Sequence, residues 1–268
     1  MTGGTVALVT GASSGIGEAI ARTLAARGHR VFGTYLDTPA DLGAAITMLP
    51  LDVRSGPSVE AGVAQVLERA GRIDVLVNNA GRAHLSVIEE TPLAEASDVL
   101  DTNFFGVVRV TNAVLPAMRG ERRGVIINIG SLAGLIGVPG RGYYVASKFA
   151  LEGYSEVLRF EVERFNISVV VIEAGFFRTP LDKTLGTKGE AIPDYNGVRE
   201  RVEAVVLRSV REGADPRAVA EVVAKVVGKR SPRLRYTVGT DARWVPRLRK
   251  LLSERVFALG YRRRFGLD

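Results

Sequence analysis

The chain is predicted to fold as an α/β protein, a doubly wound parallel sheet with helices on both faces. Two observations carry that prediction. Short Val- and Ile-rich runs alternate with longer amphipathic stretches from the N-terminus onward. A glycine-rich turn, Thr10-Gly11-Ala12-Ser13-Ser14-Gly15-Ile16-Gly17, separates the first run from the first amphipathic stretch. Strands fed by helical crossovers form parallel sheets with both faces covered, and right-handed crossovers wind them into this architecture.

Six strands are expected, at Thr5–Thr10, Arg30–Tyr35, Thr47–Leu51, Asp74–Val77, Gly124–Ile129 and Ile167–Ile172. Each is a short apolar run of the kind that is buried on both sides. Helices are expected at Gly15–Arg27, Pro57–Ala70, Ala96–Met118, Gly142–Phe165 and Pro216–Val227. The segment Phe176–Asp215 has the weakest period, several glycines and one helical patch near Val198–Arg211. It leaves the sheet at its C-terminal edge, where ligands bind in such folds, and reads as a substrate lid of about 176–215, an irregular surface insertion being the alternative. No repeat or linker divides the chain, so 1–268 is expected to be a single domain.

The 268 residues are 46% apolar and 24% charged, enough for a full core and unlike a disordered chain. Cysteine is absent, which excludes disulfides and thiolate chemistry. The two histidines, His29 and His84, lie far apart, so no metal site is expected. His84 reads as a loop residue or, in the alternative, one facing substrate. With no signal-like N-terminus and no run of about 18 apolar residues, the expectation is a soluble cytoplasmic protein. No nucleic-acid partner is expected.

Net charge is +7, and much of it falls at the end. Between Arg243 and Arg264 stand eight basic residues against one acid, Glu254. The favoured reading of this basic segment, about 240–268, is a solvated helical face with Trp244, Leu248, Leu251, Leu252, Val256, Phe257 and Leu259 turned inward. A patch for an anionic partner or membrane surface is the alternative.

The chemistry-bearing residues cluster in order. Glycines 11, 15 and 17 let the backbone turn tightly at the start of a helix, whose free N–H groups and dipole favour a phosphate. Tyr144 and Lys148 are four apart on an expected helix, and so share a face. An ammonium beside a phenol favours its ionised form, which suits general acid–base work near neutral pH. Tyr143 points to another face and reads as packing or, in the alternative, substrate contact. Ser131 precedes Tyr144 by thirteen residues, after the fifth strand.

With these residues in place the chain resembles the short-chain dehydrogenase/reductase family, in its single-domain branch with a Rossmann-type sheet. The Gly-x-x-x-Gly-x-Gly spacing, Asn78-Asn79-Ala80-Gly81, Asn103, Ser131 and the Tyr144/Lys148 pair match its motifs from residue 5 to about 180. A weaker resemblance, through Glu173–Thr179 and Arg235–Ala242, is to hydroxysteroid and retinol dehydrogenase-like members.

The resemblance implies hydride transfer between NAD or NADP and a carbonyl or secondary alcohol, with an apolar small molecule as substrate. It implies that Tyr144 exchanges the proton, Lys148 lowers the phenol's pKa and binds the nicotinamide ribose, and Ser131 holds the substrate oxygen. Asn103 would anchor a water. Gly11, Ser13, Ser14, Gly15, Ile16, Gly17, Asp52, Val53, Asn79, Ala80, Gly81 and Thr179 would line the cofactor. A helix N-cap is the competing role for Asp52. Tyr35 and Leu36 occupy the positions that usually choose the cofactor; the missing acid at 35 favours NADP over NAD. Ala174 replaces the usual proline after the sixth strand, which loosens that stretch. Helices Ala96–Met118 and Gly142–Phe165 imply a homodimer or homotetramer. The alternative function is a non-catalytic dinucleotide-binding or scaffold protein.

Overall fold

The computed structural model describes residues 4–180 and 189–267. Seven strands form one sheet: β1 (Val6–Val9), β2 (Arg30–Tyr35), β3 (Ile46–Pro50), β4 (Val75–Asn78), β5 (Gly124–Ile129), β6 (Ile167–Ala174) and β7 (Arg235–Val238). Their order is β3-β2-β1-β4-β5-β6-β7, and every neighbouring pair is parallel. The order reverses beside β1, so the crevice between the C-terminal ends of β1 and β4 is the place for a ligand.

Strand alternation sorts the core. Val75 and Val77 point to the face covered by α1 (Gly15–Ala26) and α7 (Arg217–Val227), through Ile20, Leu24, Val219 and Val223. Leu76 points to the opposite face, under α2 (Gly56–Ala70), α4 (Gly106–Gly120) and α5 (Gly142–Val162), through Val63, Val114 and Leu158. A third cluster sits over the C-terminal edge. It joins Leu132, Ile136 and Val138 to Val206 of α6 (Asn196–Arg211), Ala242 of α8 (Thr240–Leu251) and Phe265 of α9 (Glu254–Phe265).

Three expectations are corrected. The helix foreseen as Ala96–Met118 is two helices, α3 (Leu93–Leu100) and α4, joined by a π-helical turn at Asp101–Phe105. Such a turn keeps the chain helical and adds a single residue, so the whole segment reads as one helix. The strand β7 was not foreseen, because four residues Arg-Tyr-Thr-Val form no apolar run. It lies at the sheet edge, where polar side chains are tolerated.

The third correction concerns the C-terminal helices. Trp244, Leu248, Leu251, Leu252, Val256 and Leu259 are exposed, not turned inward. The inner face of α8 is instead Ala242 and Val245, and that of α9 is Tyr261 and Phe265, continued by Phe257 stacked on Tyr261. No further layer of the described chain covers the outer positions. Among the described residues no helix is long and apolar enough to cross a membrane.

Candidate active site

A cleft of about 820 Å³ runs along the C-terminal edge of the sheet. Its walls bring together Gly11, Ser13, Ser14, Gly15, Ile16, Asp52, Val53, Asn79, Ala80, Gly81, Asn103, Ser131, Tyr144, Lys148 and Thr179. Of the expected site residues only Gly17 lies outside the wall, one turn into α1, and there its lack of a side chain matters. A Cβ at Gly17 would overlap the Gly11 carbonyl oxygen and the Asn79 Nδ2.

The glycine loop is held from below by two side chains. Thr10 Oγ1 accepts the N–H groups of Asn79 and Ala80, both at 3.0 Å. Asn79 Nδ2 donates back to the carbonyls of Thr10 (3.0 Å) and Gly11 (2.9 Å). The turns after β1 and β4 are thus one rigid unit. Gly11 has φ +63°, and a Cβ there would stand 2.8 Å from the Ala80 Cα. Helix α1 begins after Ser14 with no side-chain cap, so its first N–H groups face the cleft without an internal partner from that residue. A loop pared to backbone, ahead of an uncapped helix start, fits a pyrophosphate.

Farther along, Asp52 follows β3. Its carboxylate accepts the Arg54 N–H at 2.9 Å and pairs with the Arg54 guanidinium at 3.4 Å. The cap of α2 is Ser55, whose hydroxyl accepts the Ser58 N–H, so the N-cap role considered for Asp52 is overturned. Beyond β2, Tyr35, Leu36 and Asp37 all line the rim.

At the other end stand the acid–base candidates. Ser131 sits one residue past Gly130, after β5, and its Oγ accepts the Ala133 N–H at 3.1 Å. Tyr144 and Lys148 lie in the first turns of α5. The Lys148 Nζ donates to the Ile129 carbonyl at 2.8 Å and stands 5.7 Å from the centre of the Tyr144 ring. Tyr143 turns away and packs edge-on against His84, with ring centres 6.1 Å apart. His84 is buried outside the cleft wall, and burial pulls its imidazole below the ordinary value.

Asn103 lies in the π turn and is fully buried. Its Oδ1 accepts the Arg82 N–H at 2.8 Å, and its Nδ2 donates to the Arg82 carbonyl and to Ser147 Oγ, at 3.0 and 3.2 Å. Both amide hydrogens are therefore engaged, and the side chain ties the strand-end turn to α5.

One residue of the site was missed in the sequence. Arg141 is 7% exposed and lies in the cleft wall, its guanidinium carbon 3.9 Å from the centre of the Tyr144 ring. It forms no ion pair with any described carboxylate. Its position three before Tyr144, one helical turn away, is the signal that could have found it. Burial opposes ionisation of Tyr144. The charges of Lys148 and Arg141, with hydrogen bonds from Ser131 and Arg141, outweigh burial and hold the phenol below its ordinary pKa. Burial also lowers Lys148, against the opposing pull of Tyr144. The arrangement can give a proton to, or take one from, an oxygen placed beside Ser131.

Ala174 ends β6 as the partner of Val238, and Gly175 N–H donates to the Val238 carbonyl at 2.9 Å. Asp241 then accepts the Phe176 N–H at 2.8 Å. Hydrogen bonds from β7 and α8 thus fix the stretch that a missing proline was expected to loosen. The segment beyond is closed at its base, where Phe176 and Arg178 exchange hydrogen bonds with Ala214. Residues 181–188 of the expected lid lie outside the described residues.

The short chain dehydrogenase family model matches residues 5–190. Over 241 residues the chain is 41% identical to a 3-ketodihydrosphingosine reductase of Bacteroides thetaiotaomicron, covering 87% of each. It is 36% identical over 264 residues to retinol dehydrogenase 8 of Bos taurus, covering 89% of this chain and 82% of that one. A short chain dehydrogenase/reductase of Burkholderia phymatum, solved in complex with NAD, superposes with a TM-score of 0.84 at 25% identity, covering 93% and 94% of the two chains. The glycine loop, the parallel sheet and these relatives agree, and the chain belongs to the short-chain dehydrogenase family of oxidoreductases.

Proposed function

We propose that this oxidoreductase acts on an apolar ketone or secondary alcohol, with Tyr144 exchanging the proton of the substrate oxygen. The observation that carries this reading is the placement of Tyr144, Lys148 and Ser131 at one end of a single cleft whose other end is a phosphate cradle. When bound, the nicotinamide dinucleotide supplies or takes the hydride. The chain's own part is positioning and proton transfer. Gly11 to Gly17 hold the pyrophosphate on backbone N–H groups; Asp52 and Val53 border the adenine end; Asn79, Ala80, Gly81 and Thr179 line the middle of the cleft. Ser131 orients the substrate oxygen, and Lys148 with Arg141 keeps the phenol ionisable.

Leu132, Ala133, Val138, Phe176 and Phe177 line the substrate end, which suits an apolar chain or ring. The names of two relatives, a ketodihydrosphingosine reductase and a retinol dehydrogenase, fit such a substrate. Of the segment about 176–215, Phe176, Phe177, Thr179, Pro180 and Val210 lie in the cleft wall, which supports a covering role. Arg199 and the Ile192 N–H both engage Glu90, which draws the start of α6 onto the cleft side of the molecule. NADP(H) is the assigned cofactor, because β2 ends in Tyr35 where an acid would repel a 2′-phosphate. Asp37 on the rim works against that choice, and titration with both cofactors decides it.

The outer face of α5 exposes Phe149, Val157 and Phe160 on one side. We infer that this face pairs two copies; light scattering that finds only monomer refutes it.

The test of the function is nicotinamide absorbance with a panel of soluble ketones and secondary alcohols. Turnover is expected with the wild type, and Tyr144→Phe should lower it by about 10²–10⁴-fold with cofactor binding retained. Turnover that survives Tyr144→Phe overturns the assignment. Cofactor binding with no turnover on any substrate would return the chain to a binding role.

A further inference from the structure

The C-terminal helices carry an apolar surface that the fold leaves uncovered. On α8, Trp244, Leu248 and Leu251 follow the spacing i, i+4, i+7 and form one stripe, exposed by 55%, 45% and 80%. Leu252 at the junction, and Val256 and Leu259 one turn apart on α9, are exposed as well. Arg243, Arg247 and Lys250 form a second stripe at the same spacing beside the first. The Arg247 guanidinium lies over the Trp244 ring, 5.5 Å from its centre. The inward side is a third, separate stripe, Ala242 and Val245, so the outer leucines are not needed to dock the helix.

From this surface we propose that α8 and the start of α9 bind an anionic phospholipid bilayer, lying in its interface. A helix with leucines and tryptophan beside arginines buries its apolar side among acyl chains while the long cationic side chains reach the headgroups. The sign of the charge selects the lipid: eight basic residues face one acid between Arg243 and Arg264.

Charge also argues against a second copy of the chain on this face. A two-fold contact would set the patch against itself, and with it the same arginines against each other. Free nucleic acid would use the arginines and leave the leucines in water.

The position of the surface fits a membrane-held enzyme. Helix α8 starts at the Gly175–Phe176 wall of the cleft, where Asp241 holds the Phe176 N–H. Farther along, Arg249 donates to the Leu135 carbonyl, just past the turn that follows Ser131. A bilayer on the outer side of α8 therefore lies at the substrate end of the molecule.

The sequence contains one tryptophan, Trp244, so intrinsic fluorescence reads the proposed contact directly. The full chain is mixed with vesicles of phosphatidylcholine alone or with added phosphatidylglycerol, at low and high salt, and binding is also measured by sedimentation. Emission should move to shorter wavelength, and protein should pellet, only with the anionic vesicles at low salt. The double variant Leu248→Glu/Leu251→Glu should lose about tenfold or more in partitioning; Arg247→Glu/Lys250→Glu should lose at least as much. Both should keep wild-type turnover of a soluble ketone, and Tyr144→Phe should bind vesicles like the wild type, so this inference and the proposed reaction fail separately.

No response to anionic vesicles at low salt overturns it. So does unchanged binding in the leucine variant, which would place the contact elsewhere. A short-wavelength emission without lipid, coupled to a smaller oligomer in the leucine variant, would assign the face to a second copy. Binding to an oligonucleotide with no response to vesicles would assign it to nucleic acid.

Discussion

At the glycine-loop end of the cleft, two short side chains do the joining. Thr10 and Asn79 tie the turn after β1 to the turn after β4 over distances of about one hydrogen bond each. At the substrate end the joining is done over long sequence separations. Asp241 reaches Phe176 across 65 residues, and Glu90 holds Arg199 across 109. Outside the cleft wall, at the sheet edge, Arg235 likewise bridges Glu152 and Glu156 of α5 at 2.9 and 2.7 Å, with Glu173 of β6 at 3.7 Å. On the proposed reading, the first end is a template for one chemical group, a pyrophosphate. The second is a frame that can be refitted to different substrates by changing a few distant side chains.

The largest break in that comparison comes at Gly17. Any side chain there meets the Gly11 carbonyl oxygen and the Asn79 amide, which are hydrogen-bonded to each other, the amide being held also by the Thr10 carbonyl, so neither gives way easily. Gly17→Val is expected to cost about 3 kcal/mol of overpacking, felt as about a hundredfold loss of cofactor affinity. Isothermal titration with NADP(H) and NAD(H) measures it. Affinity within a few-fold of wild type would mean that the loop is not the rigid template described.

A smaller, opposite effect is expected at the frame. Asp241→Ala removes the acceptor of the Phe176 N–H and frees the Gly175 turn. Losing a partly buried hydrogen bond costs about 1–3 kcal/mol. The consequence should be a KM for the ketone raised about tenfold, with cofactor affinity unchanged. Steady-state kinetics with each ligand varied in turn separates the two. An equal loss for cofactor and substrate would erase the distinction between the ends.

The same difference explains what could be read in the chain. The six buried strands, the glycine turn and the shared helix face of Tyr144 and Lys148 are local patterns, legible from periodicity and spacing; joining them into one site took the family resemblance. The fittings of the substrate end are not local. Arg235 joins the sheet edge only because three carboxylates converge on it from two other elements. The exposed stripe on α8 was misassigned for a related reason: helical periodicity identifies an apolar side but not which side meets the core. Here Ala242 and Val245 meet it, and the stronger stripe does not. The π turn at Asp101–Phe105 was hidden because it interrupts the helix by one extra residue only, with helical backbone on both sides.

Arg141 tests the comparison at its seam, since it lies in the cleft wall over Tyr144, the residue proposed to exchange the proton. Its guanidinium covers one side of the Tyr144 ring, while Lys148 approaches the same phenol from the next turn of α5. Both charges favour phenolate against the opposing effect of burial. Alcohol oxidation needs the phenolate, so its rate rises as pH climbs through the Tyr144 pKa; ketone reduction needs the phenol, so its rate falls over the same range. Arg141→Leu removes one of the two cations and should move both limbs to higher pH, whereas Arg141→Lys should keep most of the effect. The pH profiles of kcat/KM in the two directions measure this, and a lost structural contact would lower the rates without displacing the limbs. Profiles that stay in place in Arg141→Leu would leave Lys148 as the cation that sets the phenol's pKa, and Arg141 as part of the substrate frame.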